Sequence, residues 1–233
     1  MEIIAHRANL DGKESNRENT LEQVRRALEL GFGLETDIRW APAHGFYISH
    51  DSATFCAVND AARHVAVWRE WPHRTIALNI KELGCEQRPV EFLGQVGVAG
   101  QVFLFDMELL ESVPGETARK YSRLGPRLRI AARASDRNES VAQALAIREA
   151  SVVWLDEFDG FWATAAAVEQ LYEAGKTVYA VSPELHGFSI RQARTRWDAF
   201  AHWGVDGICT DYANALRRQL GLSRSEVRKE KKA

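Results

Sequence analysis

Short apolar runs recur along the chain, and each is followed by a stretch with helical spacing. The runs near 2–6, 33–39, 74–80, 101–106, 126–131, 151–155, 176–181 and 205–210 are rich in β-branched and aromatic residues and read as strands. A further run, FYIS at 46–49, reads as a hairpin partner to the end of the second strand. Among the helical stretches, LEQVRRALEL at 21–30 puts Leu21, Val24, Ala27 and Leu28 on one face, with Asn19 or Thr20 as its cap. TAAAVEQLYEAG at 164–175 starts at Thr164 and stops at Gly175. Such alternation predicts an α/β chain with a parallel sheet and crossover helices. Eight units in 233 residues, close to the roughly 250 of a typical closed barrel, favour a single (β/α)8 TIM barrel over an open sheet. No linker divides it, so the barrel is expected over 1–222, with the basic stretch SRSEVRKEKKA at 223–233 as a solvated tail.

Composition narrows the partners. A hydrophobic share of 45% and a charged share of 27% are ordinary for a globular domain. The net charge of −2 provides no broad basic field for nucleic acid or acidic membrane surfaces. No apolar run reaches the roughly 18 residues of a membrane span, and no amphipathic anchor stands out, so no stable membrane anchor is expected. MEIIAHRANL lacks a basic stretch followed by an apolar core, which predicts a cytoplasmic protein without a secretory leader. Cys56, Cys85 and Cys209 are few and widely spaced, as expected of reduced structural thiols. Nothing in the sequence fixes the oligomeric state.

The chemistry-bearing residues collect where strands end. His6-Arg7 closes the first strand, Glu35-Thr36-Asp37 lies on the second, and His50-Asp51 follows the short hairpin strand. Strand ends are where a parallel barrel assembles its site. Two imidazoles can act as acid and base near neutral pH. Glu35 and Asp37, two apart on a strand, share a face and repel unless a cation or proton separates them. A hard divalent cation, Mg²⁺ or Ca²⁺, satisfies them best. Arg7 offers a planar cation suited to a phosphate. Asn79 and Lys81 share a face on the next strand, TIALNIKELG. Lys81 needs an anion, supplied by a substrate phosphate or by the acidic pair itself. Together these groups predict hydrolysis of a small-molecule phosphodiester, with His6 and His50 as the acid/base pair, Arg7 and Lys81 on the phosphate, and Glu35 and Asp37 on the metal.

In order, His6-Arg7, Glu18-Asn19-Thr20, Glu35-Thr36-Asp37 and His50-Asp51 resemble the opening motifs of the glycerophosphodiester phosphodiesterase family and the related phosphatidylinositol-specific phospholipase C-like superfamily. The resemblance implies a barrel, a divalent cation, catalysis by the two histidines, and attack by a substrate hydroxyl that yields a cyclic phosphate opened by water. Two positions depart from the family pattern. Ala8 stands where the family has glycine, a handicap if that position needs positive φ. Asn79 stands where the family has a metal-binding glutamate, so metal affinity should fall, and Asn79→Glu should raise it. Asp106 or Asp156 would then supply a missing third carboxylate. Asp206-Gly207-Ile208-Cys209-Thr210-Asp211 is similar to the closing stretch of the family and reads as mainly structural. Trp154, Phe158, Phe161 and Trp162 read first as packing between helix and barrel, second as a lining of the mouth. The polar loop 9–17 is placed to shape access. Two other readings share these residues, a barrel that binds a phosphorylated ligand without turnover and a phospholipase C- or D-like activity on a lipid.

Overall fold

The computed structural model describes residues 1–222, so the tail at 223–233 lies outside the described residues. Nine strands run in chain order as β1 (Glu2–His6), β2 (Gly33–Ala41), β3 (Gly45–Ile48), β4 (Ile76–Ile80), β5 (Val102–Phe105), β6 (Arg129–Ala134), β7 (Val152–Leu155), β8 (Thr177–Val181) and β9 (Gly207–Thr210). Eight are parallel and close on themselves, because β1 pairs with both β2 and β9. The ninth, β3, is antiparallel to the outer half of β2, with Ile38 opposite Ile48. It thereby carries residues 49–51 back toward the barrel mouth. This is the expected (β/α)8 barrel. The one substantial shift is β6, which runs three residues later than its apolar run suggests. None of the helices is long and apolar enough to cross a membrane, among the described residues.

Helix α1 (Leu21–Glu29) begins because Thr20 accepts a hydrogen bond from the Gln23 amide, and it buries Val24, Ala27 and Leu28 against the sheet. The helix Ala165–Glu173 is capped likewise by Thr164. These and the other helices form the outer core layer with one face of every barrel strand.

The barrel interior is divided. Ile4, Ala77, Phe103, Phe105, Ala131, Val152, Trp154, Tyr179, Val181 and Cys209 form a separate inner cluster. Its bulk comes from β5, β7 and β8, where Phe103, Phe105, Trp154 and Tyr179 pack ring on ring with centroids 4.5 to 6.2 Å apart. On β1, β2 and β4 the inward positions above Ile4 and Ala77 are polar instead, namely His6, Glu35, Asp37 and Asn79. Aromatic filling from one side thus closes the bore and leaves the other side for charge. Trp154 belongs to this filling rather than to a helix contact.

Glycine is required where the filled side meets the open one. A Cβ on Gly33 would lie 2.5 Å from Ile4 Cδ1 and 2.8 Å from the Thr75 carbonyl oxygen. A backbone oxygen cannot move aside as a side chain can. Gly33→Ala is therefore expected to cost about 1–3 kcal/mol of stability, the usual range for overpacking. Denaturant unfolding measures it, and a change under about half a kcal/mol, the range of an ordinary surface substitution, would show that β2 shifts freely.

Candidate active site at the barrel mouth

The ends of β1, β2, β4 and β9 bring together side chains separated by up to 205 residues in the chain. His6 leaves β1 with its Nδ1 2.7 Å from Asp211 Oδ1, at the end of β9. Its Nε2 lies 3.7 Å from Glu35 Oε2. Glu35 and Asp37 are 3% and 0% exposed, on the inner face of β2. Arg7 Nε lies 3.3 Å and Lys81 Nζ 2.9 Å from the two Asp37 oxygens. Asn79, the register partner of Asp37 across β2 and β4, completes the group. All the residues expected here except His50 thus share one buried cluster.

Turning the chain sharply after His6 makes this possible. Arg7 and Ala8 both adopt the left-handed conformation, at φ 47° and 64°. The Arg7 amide then donates to the Glu35 carboxylate at 3.3 Å and to the Glu35 carbonyl at 3.0 Å. Its carbonyl accepts from the Asn19 amide at 2.9 Å. Ala8 does need positive φ, as its replacement of glycine had implied, and its buried methyl group offsets part of that strain by packing in the outer core. Asn19, itself at φ 56°, is held by Thr36, whose hydroxyl donates to its side-chain oxygen at 2.7 Å. A His64 ring nitrogen lies 2.8 Å from the Asn19 carbonyl oxygen. Glu18 accepts from Arg7 and Asn9, so the Glu18-Asn19-Thr20 segment braces the site and caps α1 at once.

The electrostatics follow from burial. Desolvation and the neighbouring Asp37 push the Glu35 carboxyl up to about 7, against the pull of His6, Arg7 and Lys81. Burial alone would lower the His6 pKa, but Glu35 and Asp211 outweigh it and hold His6 above its ordinary range. Burial would raise Asp211, yet the His6 hydrogen bond and charge keep it low. Asp211 is therefore an ionised, acceptor-only partner, and His6 carries its proton on Nδ1. Nε2 is left to exchange protons with whatever enters the site. Asp211 does more than close the barrel. It fixes the tautomer of His6 and is itself fixed by Asn9, which donates to it at 2.8 Å. Glu184 adds a brace by accepting from the Asp211 amide and the Thr210 hydroxyl.

His50 stands apart. Its side chain is 44% exposed, and its Nδ1 lies 2.9 Å from Asp51 Oδ1. Its carbonyl is gripped by Arg39, whose guanidinium also reaches Glu82. His50, Ser49, Ile48 and Val58 line a cleft of about 460 Å³ together with Arg7, Ser15 and residues 18–21. Arg7 thus joins the buried cluster to the cleft that His50 lines. Of the polar loop at 9–17, Ser15 lines this cleft.

Asp106 and Asp156, the carboxylates expected to be available as a third ligand, are both paired in the structure. Both are clamped by Arg133 on the inner face of β6. Asp106 also accepts from the Asn79 side-chain nitrogen at 2.7 Å, and Asp156 is in contact with His186. Sequence reading missed Arg133 because it ended β6 too early. Strand parity would have placed it inward with Ala131. Phe158 lies beneath Arg133 and against His186, with ring centres 4.3 Å apart, while Phe161 is exposed and Trp162 donates to the Asp156 carbonyl. The aromatic group is therefore split between filling and mouth. Among the described residues, no three histidine, cysteine, aspartate or glutamate side chains come together as a metal shell.

No protein-family model matches the chain, and no curated protein does. Solved structures are similar over nearly its whole length. A candidate glycerophosphodiester phosphodiesterase from Galdieria sulphuraria is 19% identical at a TM-score of 0.73, covering 95% of this chain and 98% of that one. A glycerophosphoryl diester phosphodiesterase from Parabacteroides distasonis is 15% identical at 0.72, covering 97% and 89%. An Oleispira antarctica phosphodiesterase in complex with the product sn-glycerol-3-phosphate is 16% identical at 0.63, covering 95% and 97%. At such identities the likeness establishes the barrel fold.

The ion pair between His6 and Asp211 makes stability depend on pH. His6, held above its ordinary 6.5, contributes fully below that pH and loses its contribution as pH rises through the raised value. Asp211, held below its ordinary 3.8, contributes above that pH and loses its contribution as pH falls through the lowered value. The pair is thus worth most between about pH 4 and 6.5. Asp211→Asn should lower the melting temperature most within that window, with the gap narrowing as pH rises through the raised His6 value. A gap that widens toward alkaline pH would contradict the ionised pair.

Proposed function

We propose that the protein is a divalent-cation-dependent phosphodiesterase acting on a glycerophosphodiester-like small molecule. The observation that carries this reading is the arrangement around His6. One ring nitrogen is fixed by Asp211, the other is free and faces Glu35, and Arg7, Asp37 and Lys81 stand beside them at the strand ends. A barrel of this shape hosts many chemistries, so the reading rests on the site and not on the fold. The motif series and the phosphodiesterases of the same fold support it.

The donor set suits a hard cation. Glu35 and Asp37 are acidic neighbours whose repulsion is relieved by a proton or a cation. The Asn79 side-chain oxygen is buried with no hydrogen-bond donor, and neither Asp37 oxygen has an aligned one. Mg²⁺ or Ca²⁺ would be held by Glu35, Asp37 and the Asn79 oxygen. Bound there, such an ion supplies Lewis-acid stabilisation of charge growing on the phosphate.

The protein's own groups do the rest. Arg7 and Lys81 neutralise the phosphate, Arg7 with a two-pronged geometry and Lys81 as a point charge. His6 Nε2 exchanges one proton of the displacement. His50, on the wall of the cleft that Arg7 also lines and likewise held through Nδ1 by a carboxylate, exchanges the other. One imidazole takes the proton of the attacking hydroxyl as the new phosphorus–oxygen bond forms. The other gives a proton to the departing alcohol oxygen as its bond breaks. Both histidines argue against a binding-only barrel, since binding needs cations rather than an acid and a base.

Turnover of glycerophosphodiesters before and after exhaustive chelation tests the reading. Activity should vanish with chelator and return with Mg²⁺ or Ca²⁺. His6→Ala and His50→Ala should each cost about 10²-fold or more without unfolding the barrel. Full activity in chelator would remove the metal, and wild-type turnover in either mutant would remove that histidine.

Lys81 carries a separate expectation. It is the counter-charge of Asp37 in the structure, and the phosphate competes for the same ammonium. Lys81→Met should therefore lower the melting temperature, because a buried carboxylate loses a partner. It should also lower kcat/KM by about 10²-fold, the usual loss for one preorganised charge donor. A fall in stability with normal kcat/KM would confine Lys81 to a structural role.

A further inference from the structure

The substitution of asparagine at residue 79 has a counterpart one strand away. Asp106 follows β5 in the left-handed conformation, at φ 71°, and is nearly buried. One of its oxygens accepts from Arg133, and the other accepts from Asn79 Nδ2 at 2.7 Å. Arg133 is itself buried and also holds Asp156. With Arg133 donating to one Asp106 oxygen, the other is the acceptor that faces Asn79. Asn79 must therefore turn its nitrogen toward β5. Its oxygen then faces away from Asp106, and it is this oxygen that is buried without a donor.

We propose that Asp106, clamped by Arg133, is the positioning residue that presents the Asn79 side-chain oxygen to the divalent cation of Glu35 and Asp37. The proposal rests on the cation reading above and adds to it the residue that sets the third ligand. The charge that a glutamate at position 79 would bring sits instead on Asp106, which shares the Arg133 guanidinium with Asp156. Residues 79 and 106 consequently act as one unit. This reverses the expectation that Asn79→Glu strengthens the metal site. A carboxylate at position 79 would lose the 2.7 Å hydrogen bond and face Asp106 with like charge. Only with Asp106→Asn does that carboxylate regain a donor, since the new amide can donate to it and still accept from Arg133.

Calorimetric titration of Mg²⁺ and Ca²⁺ into the wild type, Asn79→Glu, Asp106→Asn and the double variant tests this, with melting temperatures measured alongside. Asn79→Glu alone should gain no affinity. Asp106→Asn should lose about tenfold, the scale of a removed outer-shell partner. The double variant should bind at least about tenfold more tightly than Asn79→Glu. Asn79→Glu binding as tightly as the double variant would overturn the proposal. So would Asp106→Asn with a lower melting temperature but unchanged affinity. Should Asn79→Glu not fold, Asp106→Asn is placed on Asn79→Ala instead. There it should have no further effect on affinity, and an equal loss in both backgrounds would overturn the proposal. If the wild type binds neither ion, the cation reading itself falls and takes the proposal with it.

Discussion

Two carboxylates on one strand face, both withdrawn from water, are the constraint around which this barrel mouth is built. Glu35 and Asp37 are buried on β2 with no solvent to screen their repulsion. Each neighbour answers that charge in a different way. Arg7 and Lys81 lie against Asp37 from β1 and β4, and the Arg7 amide donates to Glu35. His6 turns a ring nitrogen toward Glu35, and its raised proton affinity follows from that proximity and from Asp211. Even the left-handed turn at Arg7 and Ala8 belongs to this arrangement, because it aims the Arg7 amide at the carboxylate. A folded chain that conceals so much charge has placed it for use.

The other half of the mouth handles charge in the opposite manner. Arg133, Asp106, Asp156 and His186 form a closed set in which each charged group has a partner of opposite or neutral character. The aromatic floor made by Phe103, Phe105 and Trp154 lies on the same side of the bore. Its low polarity makes an unpaired charge costly there, which is why the guanidinium is held from both sides. Asn79 sits at the seam. It donates into the paired half and leaves its oxygen unpaired at the edge of the acidic half. The two halves therefore communicate through one amide.

The fold was legible because a barrel is a repetition of one pattern. Apolar runs gave the strand positions nearly everywhere, and the parity of Glu35 with Asp37 and of Asn79 with Lys81 predicted which side chains would share a face. Short-range signals of this kind carry His6, Arg7, the acidic pair and Lys81 into one cluster. What stayed hidden is non-local or depends on register. Nothing near Asp211 in sequence points to His6, 205 residues away. The polar end of β6, Arg133-Ala134, lacks the apolar character that marks a strand, so its inward arginine went unseen. That omission left Asp106 and Asp156 as free carboxylates, whereas the structure pairs both. The hairpin strand brings His50 back to the mouth as its sequence position predicts, but the structure puts its side chain on the cleft wall and not in the cluster.

That separation of the two histidines bears on how the site would work. His6 is mostly withdrawn from water, fixed in tautomer and enclosed by charge, so its proton affinity is set by the protein. His50 is half in solvent, held through Asp51 and through an arginine on its own carbonyl. The cleft of about 460 Å³ that His50 and Arg7 line is the size of a small-molecule pocket. A substrate that spans it would bring its phosphate to Arg7, where cleft and cluster meet, and extend its remaining part past His50 toward water. Chemistry under protein control would then occur at the buried end, and variation in the substrate would be tolerated at the open one. On the proposed reading, Ser15, residues 18–21, residues 48–51, Val58 and Asn59 would be the groups that meet the alcohol part of the substrate.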